Sequence, residues 1–324
     1  MINYKNYDTN LDNLINQLDE IGIVVIPNVL SKSEINSSQN EMWEALNYLT
    51  QDFDLPLKYH NKDSWNTYYH LCPIEDMVLQ YWKIGHSKYV WELRQNIKIL
   101  EIFSKIWDCK IDDLLVSFDG VSIHFPPEIT NTGKYQEDKN NWYHFDQSSY
   151  KKGRHCIQSF INLYDVNEGD STLSIYEKSH LFHEKFFDHY QLNVEKDWYK
   201  LNNEQLDFFK NCSENAVLAS AGSLVLWDSR ILHQGILCSK YRKQPSIRSV
   251  VYICMIPRCK CDKKELERKK QAFKSLRMTT HWPNKINRFP AYPKKKESDG
   301  KNIHLIREIE PPLLNKIGYR LAGL

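Results

Sequence analysis

The run Trp142-Tyr143-His144-Phe145-Asp146 sets an imidazole and a carboxylate two residues apart. Side chains alternate between the faces of a strand, so His144 and Asp146 point the same way and can offer a nitrogen and an oxygen to one metal ion. A third ligand is needed, and His233 is the best candidate among the 12 histidines. It lies just beyond an apolar strand that follows the Ala221-Gly222 turn. Two histidines and a carboxylate take one face of an octahedron and leave three positions open. That suits a non-haem Fe(II) which must also accept a chelating co-substrate and oxygen. Such a co-substrate needs an anchor for its far carboxylate. Arg248 stands at the entrance of the apolar run Ser249-Val250-Val251-Tyr252-Ile253, and a guanidinium fork binds a carboxylate bidentately. Arg242, in a polar loop with Lys240, Tyr241 and Lys243, is the rival.

These residues need elements to position them. Residues 10–21 read as an amphipathic helix with Leu11, Leu14, Ile15 and Leu18 at helical spacing, ended by Gly22. Ile23-Val24-Val25-Ile26 reads as a strand closed by Pro27. Ser31 and Glu34 form a capping box that opens a second helix, running to about Leu49. Residues 81–107 read as mostly helical. Strands are expected at 114–125, 142–145, 157–163, 172–175, 216–218, 223–227 and 249–255, with a polar loop over 128–141. An aromatic-rich helical insert is expected at about 181–209. A basic helix follows at 262–276, then an irregular, Pro-rich tail. Many short strands with Gly and Pro punctuation predict a mainly β core, a sandwich or barrel, flanked by helices.

With those residues in place, the sequence resembles the phytanoyl-CoA dioxygenase family of iron- and 2-oxoglutarate-dependent oxygenases. His144-Phe145-Asp146 matches its metal motif. The run from Ala221 to Asp228 followed by His233 matches its distal-histidine segment, and residues 14–35 resemble its N-terminal pattern of helix, Gly, strand, Pro and helix. Residues 160–180 resemble the segment after the metal motif, although Glu177-Lys178-Ser179-His180 stands where the family usually has Pro-Gly-Ser-His. Arg248 matches the co-substrate arginine by its place before an apolar strand. The resemblance covers residues 10–50 and 115–257.

It implies a double-stranded β-helix, or jelly roll. Iron would be held by His144, Asp146 and His233, with 2-oxoglutarate chelating it and anchored on Arg248. Oxygen would be the second co-substrate, and succinate and CO2 the co-products. Related halogenases lack the carboxylate ligand, so Asp146 implies hydroxylation. In this fold the strand before the polar loop often lines the co-substrate pocket, which points to Ser122, with Asp119 and His124 on the same strand. Tyr143 has two readings, a bond to a co-substrate carboxylate or packing within its strand. Gln147, Ser148, Ser149 and Tyr150 would line the mouth. Asp228 and Arg230 would form a solvated pair. His180 and His183 read as capping or surface residues, and Cys259-Lys260-Cys261 lacks the second pair a tetrahedral metal site needs.

The 324 residues are 41% hydrophobic and 13% aromatic, which excludes general disorder. No apolar run approaches the roughly 20 residues that span a bilayer. The polar N-terminal stretch to Leu18 is unlike a secretory signal. Eight scattered cysteines point to reduced thiols and the cytoplasm. The net charge of +2 hides an asymmetry, because residues 259–324 carry 17 Lys and Arg against 7 Asp and Glu. The expected organisation is therefore a jelly-roll oxygenase domain over 1–258, containing the insert, with a basic extension over 259–324 packed on it. The expected substrate is a small polar metabolite. A protein or nucleic-acid substrate comes second, raised by the basic extension. The reading from another class is a non-catalytic jelly-roll protein that binds nucleic acid or an acidic partner through that extension.

Overall fold

Ile23-Val24-Val25-Ile26 is apolar at every position, so a strand there must be covered on both faces. The computed structural model, which describes residues 2–138 and 140–324, covers it in that way. Ile23 and Val25 join a core with Phe160, Leu173, Ile175, Val217, Val225 and Val250. That core lies between two six-stranded sheets. Val24 and Ile26 join the larger core, with Met42 and Leu46 of the helix Lys32–Thr50. Each such side chain, fully buried, contributes roughly 1.5–3 kcal/mol of transfer free energy.

The first sheet runs Tyr4–Asn6, Glu214–Leu218, Thr172–Tyr176, His233–Ile236, His144–Phe145, Tyr199–Lys200. The second runs Ile23–Ile26, Leu224–Asp228, Ile157–Asn162, Arg248–Tyr252, Val121–His124, Val78–Leu79. Neighbours are antiparallel except Tyr4–Asn6, which pairs parallel with Glu214–Leu218. This is the double-stranded β-helix arrangement, with helices covering the second sheet. The outer face of the first sheet is covered by the aromatic insert, where Phe186, Phe187 and Phe209 pack on Tyr143 and Phe145.

The N-terminal elements follow their sequence signals closely. The Ser31 and Glu34 capping box is present in both directions. Gly22 turns the chain at φ +90°, where a side chain would also strike the His180 ring. The expected single strand over 114–125 is instead two, Leu114–Val116 and Val121–His124. The break falls at Asp119-Gly120, where a Cβ on Gly120 would sit 2.2 Å from the Leu79 carbonyl oxygen. The edge strands Val78–Leu79 and Tyr199–Lys200 are two residues each, too short for any periodicity.

The basic C-terminal segment is folded onto the rest of the chain. Asp262 caps the helix Lys263–Lys274. Within that helix Lys269 is fully buried; its ammonium donates to the Val116 carbonyl and lies 4.0 Å over the Phe118 ring. Burial holds that ammonium well below its ordinary pKa. Arg307 pairs bidentately with Asp52 at 2.6 and 2.8 Å, and Arg320 with Asp112 at 2.6 Å. Among the described residues no helix is long and apolar enough to cross a membrane.

His86 links the segment to the core. It accepts from Trp91 Nε1 and lies 3.3 Å from the Arg277 carbonyl oxygen. Burial and then Arg94 push its pKa down to about 3, and burial takes His183 to about 4. The unfolded chain takes up these protons as pH falls below about 6.5, while the folded chain resists. Stability present above that pH is therefore lost on acidification towards pH 4. Urea unfolding as a function of pH should show the loss, with a shallower slope for His86→Phe. Equal slopes in the two proteins would contradict it.

Candidate metal centre

The strand pair that carries the site is short. His144–Phe145 lies between His233–Ile236 and Tyr199–Lys200, with His233 and His144 in register. Asp146 follows, its backbone N–H bonded to the Ser229 carbonyl at 3.1 Å. Alternation then puts His144 and Asp146 on one side, facing His233 from the neighbouring strand. The three offer ligand atoms that all lie within 4.8 Å of one another. The imidazole centroids are 4.4 Å apart.

Both histidines are held in one orientation by the backbone. His144 Nδ1 lies 3.2 Å from the Trp142 carbonyl oxygen, and His233 Nδ1 lies 2.9 Å from that of Ile231. A carbonyl only accepts, so each Nδ1 carries a proton and each Nε2 is the nitrogen turned towards the site. Those Nε2 atoms face Asp146 at 3.7 Å (His144) and 3.3 Å (His233). Gln158 Nε2 supports the carboxylate at 3.0 Å. Three ligand atoms thus converge in a buried place, the arrangement that a bound cation completes. Burial raises the Asp146 pKa, but the surrounding histidines more than offset this and hold the carboxyl well below its usual range. Burial and then His144 lower the His233 pKa. The donor set fits a divalent metal of the non-haem iron type.

The triad opens into a cavity of about 880 Å³. Trp142 stacks on His144 at 4.8 Å and 16°, and Trp198 from the insert approaches the same ring at 5.8 Å. Arg248 reaches this cavity from the second sheet. It is buried, donates from Nη1 to Ser122 Oγ at 2.8 Å, and lies 5.3 Å over the Phe160 ring. Its Nε is buried without a partner, and no carboxylate pairs with it among the described residues. Burial pulls its pKa down from the ordinary value. A buried, uncompensated guanidinium costs several kcal/mol, which an incoming anion offsets. Arg242 differs. It is gripped by Glu128 at 2.7 Å through two nitrogens and by Asp170 at 2.9 Å, at a separate surface depression.

Other expected residues fall elsewhere. Ser122 touches Arg248 rather than the open cavity. Tyr143 is turned away from the metal ligands, because odd and even positions of one strand face opposite sides. Its hydroxyl bonds Ser174 at 2.7 Å and Glu214 at 2.6 Å in the insert-side core. It does not line the cavity, so the co-substrate reading of Tyr143 is replaced by packing. Gln147, Ser148 and Ser149 are buried in internal hydrogen bonds instead of lining a mouth. Asp228 and Arg230 pair with each other, joined by Arg154, with Asp228 fully buried. His180 and His183 are buried, bonded to the carbonyls of Asp19 and Gln147. Asp119 does line the cavity, and burial raises its carboxyl to about 6.

Sequence reasoning missed the lining from the C-terminal segment. His281 Nδ1 stands 4.0 Å from Asp146 Oδ2, and Thr280, Trp282, Asn287 and Phe289 share the wall. Charge asymmetry pointed to docking of this segment, but nothing local marked which residues would meet the site.

No family model matches the chain. The Ava biosynthesis cluster protein O of Aspergillus versicolor is 27% identical over 275 residues, 82% of this chain and 83% of that protein. Among solved structures, GlcNAc Inducible Gene 2 of Candida albicans aligns over 99% of this chain and 83% of its own, at 14% identity and a TM-score of 0.55. That similarity is one of fold. HygX of Streptomyces hygroscopicus, solved with nickel and 2-oxoglutarate bound, aligns over 77% of this chain and 87% of its own, at 13% identity and a TM-score of 0.47.

Two substitutions separate the faces of the metal strand. Gln158→Leu should weaken divalent-metal affinity by roughly 10- to 100-fold, since it removes the support of a ligand carboxylate. Tyr143→Phe should leave metal affinity unchanged and lower stability by about 1 kcal/mol. Calorimetric metal titration and urea unfolding read the two effects. A metal defect in Tyr143→Phe would contradict the assigned faces.

Proposed function

We propose that the chain is an iron(II)- and 2-oxoglutarate-dependent oxygenase that hydroxylates a small molecule, with succinate and CO2 as co-products. The observation that carries this reading is one cavity holding both a convergent His-Asp-His set and a buried arginine without a carboxylate partner. The first calls for a divalent cation and the second for an anion. A 2-oxoacid with a far carboxylate answers both when its keto-acid end meets the metal.

In this reading His144, Asp146 and His233 hold iron, and the carbonyls of Trp142 and Ile231 keep both imidazoles aimed. Arg248, steadied by Ser122 and Tyr252, holds the far carboxylate of 2-oxoglutarate. Phe160 and Trp227 line the space between and exclude water, which strengthens the arginine–carboxylate contact. Iron, when bound, supplies oxygen activation coupled to oxidation of the co-substrate. The motifs at His144-Phe145-Asp146 and 221–233 support placement near the phytanoyl-CoA dioxygenase family, and Asp146 favours hydroxylation. Eight free cysteines, four of them buried, support a reducing, cytoplasmic setting. The binding-protein reading is disfavoured because Lys269, Lys285, Arg307 and Arg320 are engaged in contacts within the chain.

The test is calorimetric titration of nickel-loaded protein with 2-oxoglutarate. The wild type should bind, and Arg248→Ala should bind roughly 100-fold more weakly with unchanged nickel affinity. Arg242→Ala should keep 2-oxoglutarate binding and lose stability. Tight binding by Arg248→Ala, or none by a nickel-loaded wild type, would overturn the proposal.

A further inference from the structure

Part of the cavity wall is a strap from the C-terminal segment, held at both ends. Thr279 and Arg288 form an antiparallel bridge, and Phe289 N–H bonds the Met278 carbonyl at 2.9 Å. Thr279 N–H donates to the Phe118 carbonyl at 2.9 Å, and its hydroxyl accepts from Phe118 N–H at 3.1 Å. Further along, Lys285 joins Asp197 of the insert at 2.9 Å. The strap is thus fastened to the sheet side and to the insert, and its tip faces the metal ligands.

Several polar atoms on this wall have no partner. Thr280 Oγ1, His281 Nε2 and Trp282 Nε1 are all buried and unbonded. Thr279, by contrast, has its hydroxyl satisfied within the fold. An indole N–H can only donate. A buried donor left unmatched costs about 1–3 kcal/mol, so the Trp282 indole, with the Thr280 hydroxyl and the His281 ring beside it on the strap, asks for a ligand that brings an acceptor. The apolar part of the lining is rich in aromatic rings, with Met77, Leu173, Trp142 and Phe289. Ring faces of this kind receive a flat, apolar skeleton. The volume lies towards the upper end of the 300–1,000 Å³ typical of small-molecule sites, enough for a co-substrate and a second molecule.

We propose that the strap 279–289 is the substrate-recognition element of this cavity, with Thr280, His281 and Trp282 as specificity-determining residues for a ring-bearing metabolite that carries oxygen acceptors. The inference rests on the oxygenase reading only for calling that ligand the substrate.

The test uses nickel-loaded full-length protein with 2-oxoglutarate and two probes in equilibrium dialysis. One is 7-methoxycoumarin, a flat ring system with carbonyl and ether acceptors; the other is naphthalene, of similar shape without acceptors. The wild type should retain 7-methoxycoumarin saturably and more tightly than naphthalene. Trp282→Phe and Thr280→Val should each weaken 7-methoxycoumarin by roughly fivefold, the effect of one hydrogen bond. Naphthalene retention and 2-oxoglutarate affinity should stay the same, which also shows that the variants fold. Equal 7-methoxycoumarin affinity in the wild type and both variants would overturn the proposal. So would an absence of saturable retention in a wild type that binds 2-oxoglutarate. Strap-dependent retention by a wild type that does not bind 2-oxoglutarate would overturn the oxygenase reading and leave the recognition role standing.

Discussion

Three ligand atoms that face one another in a buried place are the constraint on which the rest depends. The His144 and His233 imidazoles present Nε2 towards the Asp146 carboxylate because their Nδ1 protons are committed to backbone carbonyls. A divalent cation held by these three residues would lie at the cavity wall. Arg248 adds the complementary demand, a buried positive charge whose polar neighbours are hydroxyls rather than acids. Metal and anion then each lower the cost of the other's site, because the charges they bring cancel in a poorly screened space.

The fold serves this by bringing together residues far apart in the chain. His144 and His233 are neighbours because two strands of the first sheet pair in register. Arg248 belongs to the facing sheet, and the two sheets are cemented by a dry core of branched and aromatic side chains. The insert closes one side with Trp198, and the strap closes another with His281 and Trp282. Asp197 ties these closures together, since Lys151 of the core loop and Lys285 of the strap both pair with it, at 2.6 and 2.9 Å. The C-terminal segment is thereby part of the metal-site cavity's wall, and Lys269, Lys285, Arg307 and Arg320 help to hold it there.

The ligands were legible because strand alternation and a turn-then-strand pattern are local signals. His144 and Asp146 follow from the period of two, and His233 from the Ala221-Gly222 turn and the apolar run after it. The same alternation sends Tyr143 to the far face, where it meets Glu214 and Ser174. The strand over 114–125 read as continuous because its composition does not reveal that Gly120 must pass against the Leu79 carbonyl. His281 was not legible. It is a single histidine in an irregular segment, and its place beside Asp146 is set by long-range docking through Thr279 and Lys285.

The most direct measurement is an anaerobic titration of the purified protein with Fe(II) and then 2-oxoglutarate, followed in the visible range. The account predicts one iron per chain and a weak metal-to-ligand charge-transfer band when the keto acid is added, with both lost in His144→Ala. A folded wild type that takes up no iron, or that takes up iron and develops no band, would contradict it.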